Sequence, residues 1–83
     1  MKMDVITFRS ITPAQRGQRM LQRQGIETVL QRTPVWMQEQ GCGYCLRLRS
    51  QQTPQAVHLL RTEQLPFSKV YTWRAGRAEE VEL

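Results

Sequence analysis

The chain has 83 residues, a hydrophobic fraction of 40% and a net charge of +5 at pH 7. A chain this short buries only roughly 60–65% of its unfolded surface, so we expect one domain without a deep enclosed cleft. No apolar run approaches the ~18 residues of a membrane span, and the start lacks the small-residue cleavage site of a signal peptide, so we expect a cytoplasmic protein.

The first half of the chain predicts a strand, a helix and a second strand. Residues 4–8 are a β-branched and aromatic run, typical of a strand. Thr12 and Pro13 then predict a helix N-terminus, and Gly25 predicts its left-handed cap. Gly17 lies on the apolar face of this helix, where it allows a close approach to a sheet. Residues 26–32 predict the second strand.

The second half repeats this order. Residues 44–49 alternate apolar and polar side chains, which predicts a third strand. Thr53 and Pro54 predict the start of a second helix that ends before Pro66, and residues 67–73 predict a fourth strand. From Arg74 the sequence is polar, and we expect it to fray.

The resulting βαββαβ order predicts an α+β, ferredoxin-like sandwich, with a four-stranded antiparallel sheet and two helices on one face. We expect residues 1–75 to form this single domain and residues 76–83 to form a polar acidic C-terminal tail. In the third strand, alternation places Tyr44, Leu46 and Leu48 towards the helices. Cys45, Arg47 and Arg49 should then lie on the helix-free face.

The segment Gly41-Cys42-Gly43 is the strongest candidate for a chemical function. The flanking glycines let backbone N–H groups turn towards the sulfur, and nearby arginines favour the same anion. Both effects lower a thiol pKa and raise the fraction of thiolate. We therefore predict that Cys42 is a reactive carrier thiol, supported by Gly41 and Gly43.

Cys45 completes a Cys-x-x-Cys pair, which admits several interpretations. It is a candidate resolving thiol that closes a disulfide with Cys42, or a small structural residue of the strand. A zinc site normally needs four ligands, and the single histidine, His58, is expected on the polar face of its helix. We expect no intramolecular metal site and no cofactor, although a dimer that shares two cysteine pairs stays open.

Val35, Trp36 and Met37 form an apolar run before the cysteines that no periodic element explains. This run is either a plug against the sheet edge or an exposed patch for a partner. Together with Arg47 and Arg49, it is the candidate partner-docking surface.

In the order of these motifs the chain resembles the family of small bacterial selenium/sulfur carrier-like proteins. The resemblance covers residues 4–73, and Cys42-Gly43 followed by Leu46-Arg47-Leu48 is its most telling part. It implies a carrier of sulfur or selenium as a persulfide on Cys42, with donor and acceptor proteins as partners. The run with Trp36 and the second cysteine, Cys45, depart from the family pattern.

Two other classes of function remain as alternatives. One is an RNA-binding module, for which the basic surface is compatible and Phe8 offers a solitary stacking platform. The other is a regulatory homodimer that uses the open sheet face, with the cysteines as a metal or redox clip. A standalone enzyme is disfavoured, since no general base lies near the thiol in sequence.

Overall fold

The structure is a computed structural model that describes residues 2–34, 43–74 and 77–82. The elements are β1 (Met3–Phe8), α1 (Ile11–Arg23), β2 (Val29–Arg32), β3 (Tyr44–Arg49), α2 (Thr53–Thr62), β4 (Val70–Arg74) and β5 (Arg77–Val81). A 3-10 turn, Ser50–Gln52, leads into α2. The predicted α+β class is confirmed. Neither helix in these ranges has the length and apolarity needed to cross a membrane.

Within the described residues, five strands form one antiparallel sheet in the order β2-β3-β1-β4-β5. The predicted count of four strands is wrong, and so is the predicted fraying from Arg74, because Arg77–Val81 pairs with β4. Ala78 and Val81 contact clusters on opposite faces of the sheet. This strand therefore lacks the apolar alternation by which sequence analysis finds strands.

Both helices pack on one apolar core together with β1, β3 and β4. The core includes the predicted helix stripes and the alternate residues of β3; its members from these elements include Ala14, Leu21, Leu46, Leu48, Ala56, Val57 and Leu60. Gly17 gives the close approach that its position predicts. A Cβ there would lie 3.2 Å from Leu60 Cδ2 and 3.3 Å from Phe8 Cζ.

Both helices end in the same backbone arrangement, a Schellman motif. After α1, the N–H of Gly25 donates to Gln22 O and that of Ile26 donates to Leu21 O. Gly25 has a φ of +82°, as the sequence predicts. Because Ile26 is held by this cap and buried in the core, the second strand begins only at Val29, three residues later than predicted.

The motif after α2 places a non-glycine residue in the left-handed region. Gln64 has a φ of +56°, its N–H donates to Arg61 O, and the N–H of Leu65 donates to Leu60 O. The chain then runs alongside β1 before β4 begins at Val70, and Ser68 N donates to Thr7 O at 2.8 Å. The fourth strand is therefore shorter than the predicted 67–73 at its start.

Candidate functional site

The link between β2 and β3 contains the cysteine segment, and the structure describes both of its ends. Thr33 N donates a hydrogen bond of 2.9 Å to Gly43 O. This bond continues the ladder one pair beyond Arg32 and Tyr44. The two ends of the link are therefore held together by the sheet itself.

Several predicted site residues lie outside the described residues. They are Val35, Trp36, Met37, Gly41 and Cys42, so their roles stay predictions. Gly43 is described and half-buried, and a Cβ at this position would meet no atom of the other described residues within 4 Å. Any need for glycine at position 43 therefore does not come from crowding by these residues.

Cys45 is the second residue of β3, paired with Thr7 of β1 on one side and Gln31 of β2 on the other. Its side chain belongs to a second, smaller cluster with Val5 and Tyr71, on the face away from the helices. Alternation along the strand therefore predicts its face correctly. Yet Cys45 is 0% exposed, so the thiol is enclosed although it lies on the helix-free face.

Burial also governs the acid–base behaviour of this thiol. Loss of solvation raises the pKa of Cys45, and this effect outweighs the opposing influence of the neighbouring Thr33 and Gln31 side chains and of the charge of Arg47. A raised pKa lowers the fraction of thiolate, which is the form that attacks a disulfide or persulfide. The environment of Cys45 therefore disfavours the predicted resolving role.

Around this buried centre the helix-free face has a groove of about 180 Å³, which we call the face groove. Met3, Val5, Gln31, Pro34, Arg47 and Trp73 line it. Trp73 is 40% exposed, and Val29, which pairs with Arg47, is 47% exposed. The helix-free face therefore combines a closed centre with an apolar, partly open rim.

Arg47 and Arg49 are the exposed cations of this face. They are alternate residues of β3, and within the described part of the chain neither forms an ion pair. Among the described strands, Glu80 is the carboxylate on the same face, since it pairs with Tyr71. It lies 3.5 Å from Lys69 Nζ. The two arginines thus give this face a net positive charge.

The aromatic residues differ from the predicted arrangement. Phe8 is 0% exposed and belongs to the core beneath the helices, so the predicted stacking platform for RNA is wrong. Tyr71 and Trp73 form the aromatic part of the helix-free face instead. Their alternation with Val70 in the fourth strand is the sequence signal that identifies this face.

The potential metal ligands among the described residues are dispersed. Within residues 2–34, 43–74 and 77–82, no three histidine, cysteine or acidic side chains lie close enough to hold a metal ion. His58 is exposed on α2, as its helical position predicts.

Residues 4–72 match the family model described as "Putative Se/S carrier protein-like". The match covers β1 to the middle of β4 and includes both cysteines. Comparisons with the curated proteins and with the solved structures found no match.

Proposed function

The chain belongs to the Se/S carrier protein-like family, and on that premise we propose that it carries sulfur or selenium on the thiol of Cys42. The thiolate of Cys42 attacks the terminal sulfur of a donor persulfide. A sulfur–sulfur bond forms on Cys42 as the donor's sulfur–sulfur bond breaks, and the donor leaves as a thiolate. Selenium follows the same exchange when it is the terminal atom of the donor.

The burial of Cys45 is the observation that carries this proposal. The sequence has two cysteines, and the one in β3 is enclosed and has a raised pKa. The family match therefore leaves Cys42 as the better carrier. Cys42 immediately precedes Gly43, whose carbonyl is held by Thr33. A fixed attachment point favours repeated presentation of one thiol to different partners.

The fold suits a carrier of this kind. We infer a ferredoxin-like sandwich extended by β5, since β2-β3-β1-β4 is the order expected for βαββαβ units. The exchange needs no bound cofactor, and it needs a reducing compartment in which thiols persist, for which the cytoplasm is the expected location. Val35, Trp36 and Met37 would then contact the donor and acceptor proteins, with Arg47 and Arg49 at the same surface.

The test is direct transfer of sulfur from a cysteine desulfurase, followed by mass spectrometry of the intact protein. We expect the wild type to gain the mass of one sulfur atom, released again by a reductant. Cys42→Ser should gain none. Cys45→Ala is the matched control and should load as the wild type does. An unmodified wild type, or equal loading of Cys42→Ser, would refute the carrier role of Cys42.

A further inference from the structure

The helix-free face combines charge and apolar surface in a defined order. Arg47 and Arg49 point the same way from one strand, so their Cα atoms are separated by roughly 6.6 Å, twice the rise per residue. The face groove lies beside Arg47 and continues to Trp73. A ligand that matches this surface needs two anions at strand spacing and one apolar group next to them.

The size of the face groove limits the apolar group. Its volume of about 180 Å³ is that of about six water molecules at ~30 Å³ each, which is comparable to one large side chain. Met3, Val5, Pro34 and Trp73 supply an apolar lining, with Gln31 as a polar contact. One leucine-sized side chain fits this space.

We infer that this face binds an extended acidic segment of a partner protein, with carboxylates at alternate positions beside one apolar side chain. Alternate residues of an extended peptide repeat at the same spacing as Arg47 and Arg49, so two glutamates can pair with both guanidinium groups. This inference rests on the proposed carrier function, because a carrier has to dock on its donor and acceptor. It names the chemistry of that docking surface.

Both an acidic peptide and RNA are anionic, so it is the aromatic residues, not the charge, that favour a peptide over RNA at this face. Single-stranded RNA is usually held by several rings on which successive bases stack. Here the central positions Val5, Cys45 and Tyr71 are buried, and Trp73 is the exposed ring among the described residues of the sheet. One ring, one groove and two cations fit an acidic and apolar peptide better than a run of bases.

The groove also lies next to the link whose sequence contains Cys42. Pro34, which lines it, follows Thr33 at the held base of that link, and Gln31 contacts both the groove and the thiol of Cys45. Arg47 is four residues along the chain from Gly43, roughly 13 Å, so a segment bound there would bring its protein close to the held end of the link. Docking and sulfur transfer would occur at neighbouring sites.

The experiment is a titration of the ¹⁵N-labelled full chain with a synthetic peptide, Leu-Thr-Glu-Thr-Glu, followed by NMR. The comparison peptides replace both glutamates by glutamine, or the leucine by glycine. We expect the first peptide to bind about tenfold more tightly than the glutamine peptide, as two exposed ion pairs allow, and to weaken with salt. It should also bind several-fold more tightly than the glycine peptide.

Variants of the protein then locate the binding site. Arg47→Glu and Arg49→Glu should each weaken binding of the acidic peptide at least about fivefold. Arg23→Glu makes the same charge change on an exposed residue of α1 and should leave the affinity unchanged. Equal binding of the glutamate and glutamine peptides, or equal effects of Arg47→Glu and Arg23→Glu, would overturn the inference.

Two further measurements separate this inference from its alternatives. If a fluorescent oligouridine binds and Arg47→Glu abolishes that binding while the peptide does not bind, the face is an RNA site and the inference fails. Cys42→Ser should bind the peptide as the wild type does. A failure of sulfur loading would thus refute the carrier proposal without changing the peptide result. A failure of peptide binding would refute this inference without changing sulfur loading.

Discussion

The burial of Cys45 leads to a strong prediction for thiol reactivity. In a Cys42→Ser variant, Cys45 is the remaining cysteine, and a disulfide reagent has to reach it through the centre of the sheet. Its backbone pairs with β1 and β2, and its side chain is 0% exposed. The reaction therefore requires opening of the structure, and its rate is the rate of the exposed thiol multiplied by the open fraction.

The size of the effect follows from the stability of small domains. If the opening that exposes Cys45 costs about 5 kcal/mol, the low end for a native domain, the open fraction is roughly 1 in 5,000. Separation of the edge strand β2 alone would cost less and leave a smaller protection. We therefore expect the folded variant to react between about a hundredfold and a few thousandfold more slowly than the same chain when unfolded.

The assay is the rate of reaction with an aromatic disulfide, measured at one mildly alkaline pH with and without denaturant. Circular dichroism confirms that the Cys42→Ser variant is folded. Cys45→Ala is the matched variant, and its Cys42 should react at a rate close to that of the unfolded chain. If folded Cys42→Ser reacts within about tenfold of its unfolded rate, the opening costs less than about 1.4 kcal/mol and the argument from burial is wrong.

Three further predictions concern stability. Burial raises the pKa of Cys45 in the folded chain above its ordinary value of 9.0, which applies in the unfolded chain. Above about pH 9 the unfolded chain therefore loses the thiol proton first, and the free energy of unfolding should fall as pH rises. Ser50 Oγ donates to Asp4 Oδ1 at 2.6 Å, and Asp4 is 6% exposed, so Ser50→Ala should cost about 1–3 kcal/mol in a denaturant titration. Gly25 and Gln64 both have positive φ. In thermal and denaturant unfolding, Gly25→Ala should therefore destabilise the protein by about 1 kcal/mol, and Gln64→Gly should stabilise it by roughly 0.5–1 kcal/mol.

Each of these predictions has its own control. The pH dependence is taken as the difference between the wild type and Cys45→Ala, and an identical slope in both would contradict the assignment to this thiol. Ser68→Ala, at another half-buried serine, should cost less than Ser50→Ala. For the helix ends, a Cβ at Gly25 would meet no atom of the described residues within 4 Å. A loss of stability in Gly25→Ala would therefore report backbone conformation and not crowding, and an unchanged stability would contradict the prediction.

The sequence predicts the central elements well because their signals are local. Alternation in β3 assigns Leu46 and Cys45 to opposite faces, and the glycine after α1 marks a left-handed cap. The cap after α2 has no glycine to identify it in the sequence. The positive φ of Gln64 accompanies the hydrogen bond that the next residue, Leu65, donates to Leu60 O at the end of α2. β5 escapes prediction because its two apolar residues lie on opposite faces.

One part of the candidate site can likewise be predicted from local sequence patterns, and another part cannot. The face on which Cys45 lies follows from strand alternation, but its burial depends on Val5 and Tyr71, which strand pairing brings together from distant parts of the chain. The face groove likewise needs Met3 next to Trp73, residues at opposite ends of the domain in sequence. Such contacts depend on strand order and register, which no local pattern specifies.

The hydrogen bond between Thr33 and Gly43 has a consequence for how this family can vary. Because the ladder continues to Thr33 and Gly43, changes in the number of residues between these two leave it intact. The entropy of chain closure grows by only about 0.6 kcal/mol when the connecting length doubles. The nine residues between the two anchors are in effect an exchangeable cassette. Cassettes grafted into this chain from other members of the family should change its choice of partner while its own scaffold, with the buried Cys45, stays the same.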